Sequence, residues 1–248
     1  MSSPPADPSI AAYGFTAVPR SVTALLALST ASTSPAKPIA ISSIPLPSSE
    51  LARKVQEYAE KELPVETFNH SMRVYYFGLA ILTHAFPTWS TPSFTETYLL
   101  TALLHDLGST PTHLPSTHLS FEFHGAILAL SLLKSLSSPI PQAESVAEAI
   151  IRHQDLGEAG TLTRITALLQ LATILDNMGS RPHADLVAMG TIESVVGKYP
   201  RKGWSGCFAK TIRRENGLKP WAHTTVLGEA DFPVGVEGNV LMAPFDDA

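Results

Sequence analysis

The sequence predicts an all-α fold: a bundle of helices with an irregular arm before it and an irregular tail after it. Two observations carry this. From Ser48 onward, apolar residues recur at helical spacing through successive segments. Those segments are punctuated by caps, first-turn prolines and terminal glycines, and no internal repeat, heptad or glycine-rich phosphate loop intervenes.

Residues 1–49 form the arm, with prolines at 4, 5, 8, 19, 35, 38, 45 and 47 that forbid long helices. The first dozen residues are expected to be mobile, whereas Tyr13 to Pro19 is apolar enough to pack along a domain surface. Residues 50–248 form the helical domain. Its first helix spans 50–63, with Ser48 or Ser49 as N-cap and Leu51, Val55, Tyr58 and Ala59 at helical spacing. Pro64 suits the first position of a second helix, which carries His70, Val74, Phe77 and Ile81. A third runs from residue 94 to a stop at Gly108, placing His105 and Asp106 in its last turn.

After a loop holding His113 and His118, helices follow at 120–136, 142–153 and 161–178. The last is apolar nearly all round and reads as the central buried helix. Asp176 near its end is notable, because a carboxylate at a mostly buried site needs a partner. Shorter helices at 185–196 and 204–215 precede a tail that wraps the domain surface.

Composition narrows the function. Hydrophobic residues make up 44%, and a net charge of −5 gives no electrostatic footprint for nucleic acid or an anionic membrane. The apolar stretch 22–29 is too short to span a bilayer, and no signal peptide is apparent, so a cytoplasmic location is expected. Cys207 is the one cysteine, which excludes an intrachain disulfide. Its place in a helix predicts a buried, inert thiol.

Six residues, His70, His105, Asp106, His124, His153 and Asp176, fall on or at the ends of predicted helices. Imidazole and carboxylate bind borderline divalent metals, and bundle interiors build such sites from ligands on separate helices. Adjacent residues in a helix point about 100° apart, yet His105 and Asp106 can both reach one ion beside a helix end. Taken singly, each residue has an ordinary structural role; their joint order favours a metal. Whether one metal or two is left open by the pattern.

The order His … His-Asp … Asp resembles the HD-domain superfamily. Longer strings, Asn69-His70-Ser71-Met72-Arg73-Val74, Leu103-Leu104-His105-Asp106, Ser120-Phe121-Glu122-Phe123, Ala149 to Asp155 and Leu171 to Asn177, resemble the fungal cyanamide hydratases. So do Tyr13 to Pro19 and Lys219 to Thr225, so that the likeness covers essentially the whole chain. The resemblance implies one zinc ion held by His70, His105, Asp106 and Asp176, and addition of water to the nitrile of cyanamide to give urea. It implies a small-molecule substrate, a homo-oligomer, Asn69 behind the first ligand, and Arg152 and His153 on the substrate side.

His124 departs from the family, whose members carry Tyr there. It either lines the pocket as a polar group or extends the set towards a bimetallic site of iron or manganese, as in di-iron oxygenases and phosphohydrolases. A non-catalytic zinc-bearing interaction protein is the third alternative. On the hydratase reading His153, then His124, are the candidate proton donors to the nitrile nitrogen, with Asp106 sharing the proton of the attacking water. Phe121 and Phe123 are expected to narrow the pocket against bulky substrates.

Overall fold

The computed structural model describes residues 7–30 and 34–247. The arm is more structured than its prolines suggest. Asp7 accepts a hydrogen bond from Ser9 N and caps helix α1 (Pro8–Ala12), so five of the first dozen residues are helical; residues 1–6 lie outside the described residues. Strand β1 (Ala17–Pro19) pairs antiparallel with β2 (Thr161–Thr163), with Val18 opposite Leu162. This two-stranded sheet is the addition to an otherwise helical fold, and three-residue strands are too short to show alternation. The helix expected from residue 161 therefore begins three residues later, where Thr163 Oγ1 accepts from Thr166 N and caps it.

The arm is also part of the core. Helix α2 (Val22–Leu26) buries Leu25, and Val18 and Ile44 join the same apolar cluster as the main helices. Arg20 reaches across to Asp155, its guanidinium donating to the carbonyls of Asp155 and Leu156 at 2.7 and 2.6 Å. That contact pins the loop that follows His153.

Ser49 caps α3 (Glu50–Glu62), whose Ala52, Val55 and Ala59 are buried. Helix α4 (Val65–Ala85) follows Pro64 and is buried along most of its length, between α5 (Pro92–Leu104) and α8 (Arg164–Met178). Close approach of α4 and α5 requires Gly78: a Cβ there would lie 2.0 Å from the Tyr98 hydroxyl, which donates to Val74 O. Helix α6 (Phe121–Ser135) packs on α7 (Ile140–Arg152).

Gly108 has a different role from the expected helix stop. Helix α5 ends at Leu104 and continues into a 3-10 turn (Leu107–Ser109), where a Cβ on Gly108 would lie 2.0 Å from Phe121 O. The glycine thus lets the His105-Asp106 corner press against the start of α6.

The chain then forms α9 (Met189–Lys198), α10 (Trp204–Leu218) and the short α11 (Asp231–Glu237). Of the expected helix 185–196, the first residues form a separate 3-10 turn (His183–Leu186). Helix α10 runs three residues beyond the expected end. Phe121, Ile174, Trp204, Phe208, Ile212 and Phe232 make a second apolar cluster on this side. No helix among the described residues is long and apolar enough to cross a membrane.

Candidate metal centre

His105 and His153 are placed by the same local device. Each is the C-cap of its helix, α5 or α7, and each turns its Nδ1 back to the carbonyl three residues earlier. His105 Nδ1 lies 2.9 Å from Ala102 O, and His153 Nδ1 lies 2.7 Å from Ile150 O. Carbonyls in a last helical turn lack intrahelical donors. An imidazole N–H that satisfies one therefore fixes the tautomer and directs Nε2 away from the helix. Their rings meet edge to face with centroids 5.4 Å apart.

His70, from the middle of α4, is fixed by a carboxylate. Its Nδ1 lies 2.6 Å from Asp176 Oδ2, which assigns that proton to Nδ1 and leaves a lone pair on Nε2. His70 Nε2 and His105 Nε2 then stand 3.3 Å apart, and Asp106 Oδ2 lies 3.7 and 3.4 Å from them. All three side chains are buried. Burial lowers the pKa of His70 to about 4, against the opposing pull of Asp176, and that of His105 to about 3, with His153 adding to the effect. Both imidazoles are accordingly neutral near pH 7.

The donor set fits a divalent metal. Two imidazole lone pairs and a carboxylate converge with no proton to share between them. Both oxygens of Asp106 are buried and lack any hydrogen-bond partner. Burial pushes the Asp106 carboxyl above its ordinary range, the expected cost of isolating a carboxylate. A cation among these atoms removes all three liabilities at once. Among the described residues, His70, His105 and Asp106 are the group whose ligand atoms lie within 4.8 Å of one another.

Asp176, expected as the fourth ligand, lies outside that group and accepts from cationic and N–H donors around it. Its Oδ2 accepts from His70 Nδ1 and from Arg73 Nη2 at 2.9 Å, and its Oδ1 accepts from Arg201 Nη1 at 2.7 Å. Its backbone carbonyl accepts from Arg201 and Asn239. Burial acts to raise its pKa, but Arg73, Arg201 and the His70 hydrogen bond hold it well below the usual carboxylate range. In this geometry Asp176 acts through His70, as a carboxylate that orients a ligand and raises its basicity. Arg73 also donates to the carbonyls of Tyr199 and Pro200, and Arg201 to Asp246, so the cluster ties α4, α8 and the α9–α10 connection together.

A small cavity adjoins the centre. It is bordered by His105, Asp106, His153, Asn177, Phe208 and Phe232 among others, and offers about 10 Å³ to the centre of a water molecule. That is room for roughly one. Phe121 is fully buried with its ring against His153, centroids 5.6 Å apart.

The other expected site residues lie elsewhere. Asn69 is buried beside His70 and donates to Pro200 O at 2.8 Å, which secures the backbone behind the ligand. Arg152 is taken up by Asp155, Glu148 and Thr161 O, so its guanidinium braces the turn after α7 rather than the cavity. Phe123 stacks on His223, and half-buried His124 faces His113 with ring centroids 5.7 Å apart. Cys207 is half-buried, not fully enclosed, because it lies on a side of α10 that borders a separate cavity; burial still raises its pKa.

Sequence reasoning missed Trp204, Asn177, Gln154 and Phe208. Trp204 stacks on His70 at 4.2 Å and donates its indole N–H to Asn177 Oδ1 at 2.7 Å. A signal existed for Arg73, three residues from His70 and hence on the same helical face. None existed for Arg201, which follows an irregular connection.

Residues 67–179 match the model of the HD domain. This span includes His70, the His105-Asp106 pair, His153 and Asp176. The chain is 40% identical over 218 residues to cyanamide hydratase DDI2 of Saccharomyces cerevisiae, and equally to cyanamide hydratase DDI3 of that yeast. Each alignment covers 88% of this chain and 92% of the relative.

Proposed function

Because this chain belongs to the cyanamide hydratase family, built on an HD domain, we propose that it hydrates the nitrile of cyanamide to urea at a single zinc site. The observation that carries this reading is the convergence of His70 Nε2, His105 Nε2 and Asp106, buried without protons to share, beside a cavity of water-like size. His70, His105 and Asp106 hold the metal, and Asp176 fixes the tautomer of His70 from behind. Bound there, zinc supplies Lewis acidity and makes water more acidic.

The chain's own residues manage the rest. In the reaction the oxygen of water bonds to the nitrile carbon, and both of its protons end on the former nitrile nitrogen. With Nδ1–H held by Ile150 O, His153 has one nitrogen free for this traffic, Nε2, which accepts a proton from water and returns it to the nitrile nitrogen. Help of this kind contributes about 10²–10⁴-fold. The spare oxygen of Asp106 passes the second proton of that water to the same nitrogen. Phe121 fixes the ring plane of His153, while Phe208 and Phe232 wall the cavity. Cyanamide has three heavy atoms, and a ceiling of about −1.5 kcal/mol per atom limits its affinity to a few kcal/mol. The cavity's small size excludes nucleotides.

Metal content by mass spectrometry and urea formation are to be measured on one preparation. One zinc per chain with urea production is the expected result; two irons per chain with no urea would sink the reading.

A further inference from the structure

A second cavity, of about 170 Å³, lies behind the catalytic one. Thr67, Ser109, Thr110, Trp204 and Cys207 border it, and none of them borders the catalytic cavity of about 10 Å³. One side chain borders both: Phe208. Its ring is nearly parallel to Trp204 at 5.0 Å, meets Phe232 edge-on at 6.2 Å, and ends a stack that starts at His70. It is almost wholly buried and has no polar atom, so it neither binds metal nor moves protons. Its position makes it a wall.

We infer that Phe208 is the specificity-determining residue of this enzyme, limiting the substrate to the unsubstituted nitrile by closing the catalytic cavity off from the larger one. This rests on the proposed hydratase activity and adds the residue that sets its size limit. The class of molecule excluded follows from the chemistry. A cyanamide whose amino nitrogen carries alkyl groups keeps the same electrophilic carbon and the same balanced addition of water, giving an N-alkylated urea. It differs only in needing space beyond the reacting atoms. Removing the ring opens the wall between the two cavities and supplies that space, whereas the metal-binding atoms and His153 are untouched.

Discrimination by one or a few methyl groups in a closed pocket is typically about 10–200-fold per group. The test compares kcat/KM for cyanamide and for N,N-dimethylcyanamide in the wild type, Phe208→Ala and Phe208→Leu, with metal content and melting temperature measured on each. The wild type is expected to favour cyanamide by at least about 100-fold. Phe208→Ala should reduce that ratio at least tenfold, chiefly by gaining activity on the dimethyl compound. Phe208→Leu, which keeps most of the apolar volume and so protects the fold, should fall between them. Ratios unchanged in Phe208→Leu and Phe208→Ala proteins that retain the wild-type metal content would overturn the inference and leave the hydratase reading intact. A wild type that hydrates both compounds equally well would overturn it too. A metal-loaded wild type that hydrates neither would overturn the activity itself, and the inference with it.

Discussion

His70 belongs to two buried polar clusters at once, and they differ in how they are satisfied. On its Nδ1 side, Asp176 is surrounded by Arg73, Arg201 and the imidazole N–H, and Asp246 matches the second guanidinium. On its Nε2 side, His105 Nε2 and both oxygens of Asp106 are enclosed with no donor among them. The two regions are neighbours and equally buried. A satisfied cluster is scaffold: it fixes helices and tautomers. An unsatisfied one at the same depth costs stability unless a cation completes it.

Asp106→Asn separates the two clusters most sharply. It should abolish metal retention and urea formation, yet leave the metal-free protein as stable as before or more so, since an isolated buried charge is removed. Metal analysis and thermal unfolding of the metal-free proteins check both halves. Asp176→Ala attacks the matched cluster and should lower stability as well as metal affinity. Stranding Arg73 without a carboxylate, and leaving Arg201 with Asp246 alone, is expected to cost about 3–5 kcal/mol, read by urea unfolding, with metal affinity falling as His70 loses its orientation.

Next in size is His153→Ala, which lies outside both clusters. It should retain metal and stability but slow urea formation by about 10²–10⁴-fold. A variant with full activity would remove His153 from the proposed proton path.

Acid provides a graded test on the metal-free protein. His70 and His105 titrate near 4 and 3 when folded but near 6.5 when unfolded. The unfolded chain therefore binds more protons between those limits, so stability falls as pH drops from about 6.5 towards about 4. Asp176 contributes in the same direction at lower pH, because its stabilisation is present above the unfolded carboxylate pKa and lost as pH falls towards its depressed folded value. Denaturant midpoints across this range should decline on acidification, and saturating metal should delay the decline by competing for the same nitrogens. The smallest effect is expected of Arg152→Ala. Its partly exposed ion pairs with Asp155 and Glu148 are each worth at most about 1 kcal/mol, and urea formation should be nearly unchanged.

The unsatisfied cluster was legible in the sequence, because a His-Asp doublet at a helix end and an upstream His on a neighbouring helix are local features. The matched cluster was not. Asp176 stood out as a buried carboxylate needing a partner, but its partners come from α4 and from the connection after α9. Nothing at Arg201 foretells that it turns inward. The fold behaved similarly: long helices with caps were visible, while β1 and β2, three residues each and 142 positions or more apart, depend on a pairing that local pattern cannot signal. Arg152 and Phe123 lie beside site residues in sequence, but their side chains leave the neighbouring backbone in other directions. Phe208 looked like ordinary core, which it is, except that cavities lie on both sides of it.

The most direct test of the central claim is zinc titration into metal-free protein, followed by calorimetry and by thermal unfolding. The account predicts one zinc per chain and a melting temperature that rises with zinc concentration, and neither in Asp106→Asn. Failure of the wild type to bind zinc, or equal binding by the wild type and Asp106→Asn, would contradict it.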